Sequence, residues 1–186
     1  MPNFPASAAP IDFTTAFGRL LRDGALRDAL AADPCRVVEQ LGVREQDRRA
    51  LLQLVPADLE YQAEILLRKR LGTVREFIPE TLRRLAGEAW PCFHHYARRH
   101  WPEAPHSGPR DAHVFAGYLR KTQPASVCDR EWNRLEFFMK QKRLAVHWVR
   151  RRGEGRAGWW RGELQLLVRT GRQAGRWAEW FWHFQL

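Results

Sequence analysis

The chain changes its hydrophobic period once. Up to about residue 143, apolar side chains recur three and four positions apart, the spacing that lines one face of a helix. Phe13, Phe17, Leu20 and Leu21 form one such stripe, and Leu51, Leu52 and Val55 another. Proline and glycine punctuate these stretches. Asp33-Pro34 opens a short helix with proline in its first turn, and Gly42 closes it after Leu41. Pro56 opens a longer helix carrying Leu59, Ile65, Leu66 and Leu67. Pro79 starts or kinks the next, with Leu82, Leu85 and Trp90 on its inner side. An aromatic helix is predicted over 91–101, ended by Pro102, with a loop over 103–109. A helix over 110–121 carries Val114, Phe115, Tyr118 and Leu119, and Ser126 is placed to cap a last one bearing Trp132, Leu135, Phe138 and Met139.

Beyond residue 143 the period falls from 3.6 to 2, the mark of half-buried strands. Leu144, Val146 and Trp148 alternate with polar neighbours. So do Trp160, Leu164, Leu166 and Val168, and then Trp180, Trp182, Phe184 and Leu186. Gly153-Glu154-Gly155 and Gly171-Arg172-Gln173 supply the turns. The predicted fold is α+β: a flexible N-terminus over 1–11, an all-helical bundle over 12–143, and a small three-stranded antiparallel meander over 144–186. On this reading the even, apolar positions pack on the helices. Trp148, Trp160, Trp180 and Trp182 then fill the core, while Trp159, Trp177 and Phe181 lie on the polar side as a covered surface.

Composition sharpens the contrast between the two stretches. The 186 residues carry a net charge of +10 and nine tryptophans. Residues 144–186 hold eight basic and three acidic residues and six of the tryptophans. No apolar run approaches the ~18 residues that span a bilayer, so a transmembrane protein is excluded. The start MPNFPASAAPIDF lacks a basic stretch followed by an apolar one, so no secretory signal is expected. Three distant cysteines, Cys35, Cys92 and Cys128, form neither a disulfide framework nor a CxxC site, and a cytoplasmic protein with reduced thiols is expected.

Catalytic motifs are sparse. The segment CFHHYARRH gathers Cys92, His94, His95 and His100. Histidines at i, i+4 can chelate a metal from a helix, but 95 and 100 differ by five, and core aromatics beside a thiol are the plainer reading. His106 and His113 have no evident partners, and Cys35 and Cys128 read as buried, inert thiols. There is no GxSxG, no Gly-rich phosphate loop and no HExxH, so autonomous catalysis is not expected.

The basic, aromatic tail admits two functional readings. As a nucleic-acid surface, Arg150, Arg151, Arg152, Arg156, Arg161 and Arg169 would neutralise phosphates while Trp159 or Trp177 stacked on bases. As a peptide platform, a three-stranded sheet leaves two edges able to accept a guest strand.

Three segments carry a family resemblance: LLRDGALRDALAADPCRVVEQLGV, LLRKRLGTVREFIPETLRRLAGEAWPCFHHYARRHWP and DAHVFAGYLRK. With the helical half joined to a short sheet, the chain resembles the MbnC family of partner proteins in methanobactin biosynthesis. That resemblance implies a subunit without catalytic residues, metal or cofactor of its own. Its partner would be an MbnB-like TIM-barrel protein holding a multinuclear iron centre. The pair would use oxygen to convert cysteines of a precursor peptide to an oxazolone and a thioamide, and this chain would help hold the leader. On physical grounds the edge strand over 176–186 is the favoured leader site, with Arg176, Trp177, Glu179, Phe181 and His183, joined by Arg150 and Arg152, and the strand over 144–150 is the other possible edge. Trp90, Phe93, His94, Tyr96, Trp101 and Tyr118 are the expected partner interface on the helical half.

Overall fold

The computed structural model describes residues 9–102, 108–151, 161–170 and 177–185. Helices come first: α1 (Phe13–Arg22), α2 (Gly24–Ala32), α3 (Pro34–Leu41), α4 (Glu45–Leu52), α5 (Pro56–Phe77), α6 (Pro79–Leu85), α7 (Ala89–Ala97), α8 (Gly108–Thr122) and α9 (Asp129–Met139). Three strands follow: β1 (Leu144–Arg151), β2 (Arg161–Arg169) and β3 (Trp177–Gln185). The fold is α+β with the helices N-terminal, as the change of period predicts. The chain forms two compact units, one of residues 1–71 and 91–103, the other of residues 72–90 and 104–186.

In the first unit, aspartates start three successive helices by accepting otherwise unpaired N–H groups. Asp12 accepts from Thr15 N at 2.8 Å, Asp23 from Ala25 N at 2.9 Å and Leu26 N at 3.1 Å, and Asp33 from Arg36 N at 3.0 Å. The Thr15 N–H holds the Asp12 carboxyl below its ordinary range. Gly42 ends α3 at φ +64°, a left-handed conformation in which a side chain is strained. The apolar stripes of α1 to α5 then close on one another, burying Ala16, Leu20, Leu30, Val37, Val38, Val43, Leu51 and Leu59. Charged groups pair beside that core. Buried Arg27 donates to the Leu20 and Leu21 carbonyls at the end of α1, each at 3.0 Å, and to Glu60 at 2.7 Å. Arg98 adds bonds to Glu60 at 2.5 Å and Asp28 at 2.6 Å. Burial would raise the Glu60 pKa, but the bond from Arg27 and the charges of Arg27 and Arg98 outweigh it and lower it.

In the second unit α6 has no cap from its own preceding residue. Glu131 of α9 does that work from fifty residues away. Its carboxylate accepts from Glu80 N at 2.6 Å, Thr81 N at 2.8 Å and Thr81 Oγ1 at 2.6 Å. Thr81 Oγ1 in turn accepts from Cys128 N at 3.0 Å, at the start of α9. This linkage ties α6 to α9 and buries Leu82, Leu85, Phe115, Leu119 and Leu135 in their unit.

Several local expectations need correction. Ser126 does not cap the last helix: it ends a short 3-10 turn, its hydroxyl bonds the Gln123 carbonyl at 2.7 Å, and Cys128 holds the cap position. The aromatic helix begins at Ala89 and stops at Ala97, earlier than Pro102 would force. Trp90 therefore starts α7 and does not continue α6. His113 does have partners: its Nε2 lies 2.7 Å from Glu136 Oε1, and its ring stacks on Trp132. Cys128 is buried as expected, but Cys35 is exposed. The turns at 153–155 and 171–173, with Arg152, Arg156, Trp159, Trp160, Arg176, Leu186, His106 and residues 1–8, lie outside the described residues.

Candidate functional site

The sheet is antiparallel in the order β1-β2-β3. The chain enters it from α9 through a Schellman-type turn. Lys142 N bonds the Phe137 carbonyl, Gln141 N bonds the Phe138 carbonyl, and Gln141 takes φ +48°. Glycine is the usual residue there, which is why the turn leaves no plain sequence signal.

The register fixes which side chains share a face. Opposite one another across the three strands lie Leu144–Val168–Ala178, Val146–Leu166–Trp180 and Trp148–Leu164–Trp182 on one face. The other face carries Ala145–Leu167–Glu179, His147–Gln165–Phe181 and Val149–Glu163–His183. The second face is the one packed on α9. Glu163, Gln165 and Leu167 are fully buried there. The apolar face points outward: Leu144 is 60% exposed, Val146 55%, Trp148 50%, and Trp180 and Trp182 45% each. The alternation is therefore as expected, but its direction is reversed. Trp148, Trp180 and Trp182 are not core residues.

The reversal follows from the helix beneath. Arg130, Asn133, Arg134 and Phe137 fall at i, i+3, i+4 and i+7, on one side of α9. Arg130 pairs with Glu163, whose oxygen also lies 3.4 Å from His183 Nδ1. Asn133 Nδ2 donates to Gln165 Oε1 at 2.9 Å, and Gln165 Nε2 donates to Glu179 at 2.6 Å and to the Arg130 carbonyl at 3.2 Å. Arg134 Nε donates to both Glu179 oxygens, at 2.9 and 2.8 Å. One turn on, Phe137 joins Ala145 and Leu167 in an apolar cluster closed by Trp177. Three polar and charged partners on the helix make a polar sheet face the better fit, because buried polar groups need partners more than apolar groups need burial.

This network was not foreseen. Its signal is the match between the polar side of α9 and the odd positions of the strands, which a hydrophobicity reading passes over.

The expected leader residues are now placed. Glu179 is held by Arg134 and Gln165 beneath the sheet. Trp177 is half-buried, edge-on to Phe138, and Phe181 lies under the Arg130 guanidinium. All three lie on the α9 side of the sheet, where each has contacts within this chain. His183 is exposed. The backbone of Arg150 lies in β1. Among the described residues β1 and β3 each pair only with β2, so both are edges.

The expected interface residues of the helical half are less uniform than the sequence suggests. Phe93 and Tyr96 are buried within their own chain and offer no free face. Together with half-buried Trp101 they surround the Arg70 guanidinium, 5.3 to 5.6 Å from the three ring centres. Half-buried His94 has its pKa lowered, first by burial and then by the Arg98 charge. Trp90 and Tyr118 are half-buried, the latter stacked on Phe115.

Among the described residues no three His, Cys, Asp or Glu side chains are placed to hold a metal ion. No described helix is long and apolar enough to cross a membrane. No protein-family model, no curated protein and no solved structure matches this chain.

Proposed function

We propose that this chain is a non-catalytic, peptide-binding subunit of a methanobactin-type peptide-modifying complex. It holds the leader of a precursor peptide and docks on an MbnB-like TIM-barrel protein. That companion carries the iron and uses oxygen to convert peptide cysteines to an oxazolone and a thioamide. The observation that carries the reading is the β3 edge. This strand pairs on one side only among the described residues, and it runs beside an exposed apolar face. A guest strand added there gains main-chain hydrogen bonds with little demand on its sequence. Its alternate side chains reach Trp180 and Trp182 on one face and exposed His183 on the other. The resemblance of the helical segments supplies the chemistry of the guest and of the companion.

The test is anisotropy of a fluorescent leader peptide of a methanobactin-type precursor, titrated with the purified protein. Saturable binding that changes little between low and moderate salt is expected. Of the consecutive substitutions Trp182→Pro and His183→Pro, one removes an outward N–H and the other a ladder N–H. The variant that keeps the wild-type thermal midpoint should lose leader binding at least tenfold, beyond the loss in its alanine counterpart. Undiminished binding in that variant rejects the edge. A steep linear fall of log affinity with log salt would instead mark a phosphate-binding surface.

A further inference from the structure

Building on that reading, we infer that the outer face of the C-terminal sheet is the surface on which the companion protein docks, and that the companion meets it with an apolar centre rimmed by acidic side chains.

The face is built for contact. Its three cross-strand rows are apolar throughout, from Leu144 to Trp182, and its two edge strands expose leucine, valine and tryptophan. The whole sheet face, with strands of eight, nine and nine residues about 4.8 Å apart and a rise of about 3.3 Å per residue, spans on the order of 400 Å². That face, apolar over five residues of each strand, is in the range where the largest apolar patch of a monomer is often functional. It is also about half of what one side of a stable heterodimer buries, roughly 800 Å². The sheet face therefore forms the centre of an interface, and a rim must complete it. Tryptophan is the residue most enriched at such centres.

Trp148 is laid down in advance. It covers Gly162 of the neighbouring strand so closely that a Cβ there would fall on its ring. Glycine at 162 leaves the space that this indole occupies.

Charge selects the occupant. A second copy would bring together two chains of net +10 each, which opposes face-to-face pairing of identical sheets. At the end where β1 begins and β2 finishes, Lys142, Arg143 and Arg169 gather, with Arg169 N bonded to the Arg143 carbonyl. A rim of that sign fits an acidic companion and steers its approach. The helical alternative is weaker, because Phe93 and Tyr96 are enclosed in their own chain.

The experiment uses the full chain and a purified MbnB-like iron protein. Binding is measured by calorimetry for wild type, Val146→Glu, Val146→Arg, Trp180→Ser and Tyr118→Ala. Circular dichroism, thermal midpoint and leader binding are followed in parallel. Wild type should bind, and its tryptophan fluorescence should shift to the blue and resist acrylamide in the complex. Val146→Glu and Trp180→Ser should weaken pairing at least tenfold without loss of fold. Val146→Arg should weaken it less than Val146→Glu, and Tyr118→Ala should leave it unchanged. Equal affinity across all variants overturns the docking face and leaves the proposed function standing. Failure of wild type to pair overturns both. Concentration-dependent self-association that Val146→Glu abolishes overturns the acidic companion in favour of a second copy.

Discussion

The core of the first unit and the C-terminal sheet use the same physical material in opposite senses. In α1 to α5 the apolar stripes close inward, and the charged groups Arg27, Glu60 and Arg98 pair at the margin. In the sheet the charged groups Glu163, Arg130, Glu179 and Arg134 pair inward, and the apolar row from Leu144 to Trp182 faces out. The first arrangement is the ordinary solution for a chain that has only itself to bury against. The second leaves apolar area uncovered, and a fold keeps such area where a partner will cover it. That difference is what directs the proposed docking to the sheet.

The comparison can be broken by attacking the polar interior. Arg130→Met leaves the Glu163 carboxylate buried without its main cation. A loss of about 3–5 kcal/mol is expected in urea unfolding. Adding Glu163→Leu should restore most of it, because a buried ion pair is often replaceable by apolar groups of similar size. A small loss in the single variant would mean that the polar face is not buried in solution and that the sheet sits the other way round.

Matched truncations sharpen the same point. Leu20→Ala, in the buried core of α1 to α5, should cost about 2–5 kcal/mol. Val146→Ser, on the outward face, should change stability by no more than about 0.5 kcal/mol. Comparable losses at the two sites would show that Val146 is packed in the free protein.

Acid gives the gentlest probe. His94 in the first unit and His147 on the α9 side of β1 both have lowered pKa values. Burial is the leading cause in each, followed by Arg98 for His94 and Lys142 for His147. The unfolded chain then binds protons more readily than the folded one, so stability is full above the ordinary value of 6.5 and declines as pH falls through and below it. Urea midpoints at pH 7.5 and 5.5 should differ in that sense, and His147→Gln should reduce the difference. A higher midpoint at pH 5.5 would contradict the burial of both rings.

Much of the fold was legible because it rests on local chemistry. Pro34 and Gly42 bracket α3, Pro56 and Pro79 open α5 and α6, and the change of period at residue 144 coincides with the start of β1. Each of these signals acts within a few residues of where it is written. What escaped depends on distant partners. Glu131 caps α6 across fifty residues, and Gln141 turns the chain where glycine would have announced it. The free edge at β3 was legible from strand order in a meander. The roles of Trp177, Phe181 and Glu179 were not, because their contacts come from α9.

By itself the sequence determined where helices give way to strands and which strand positions are apolar, since both follow from the period of side chains along a backbone. Which face of the sheet would be buried was left to the tertiary structure. Alternation divides a strand into two sides without saying which one meets the rest of the chain. Arg130, Asn133 and Arg134 supplied the partners that made the polar side the inner one.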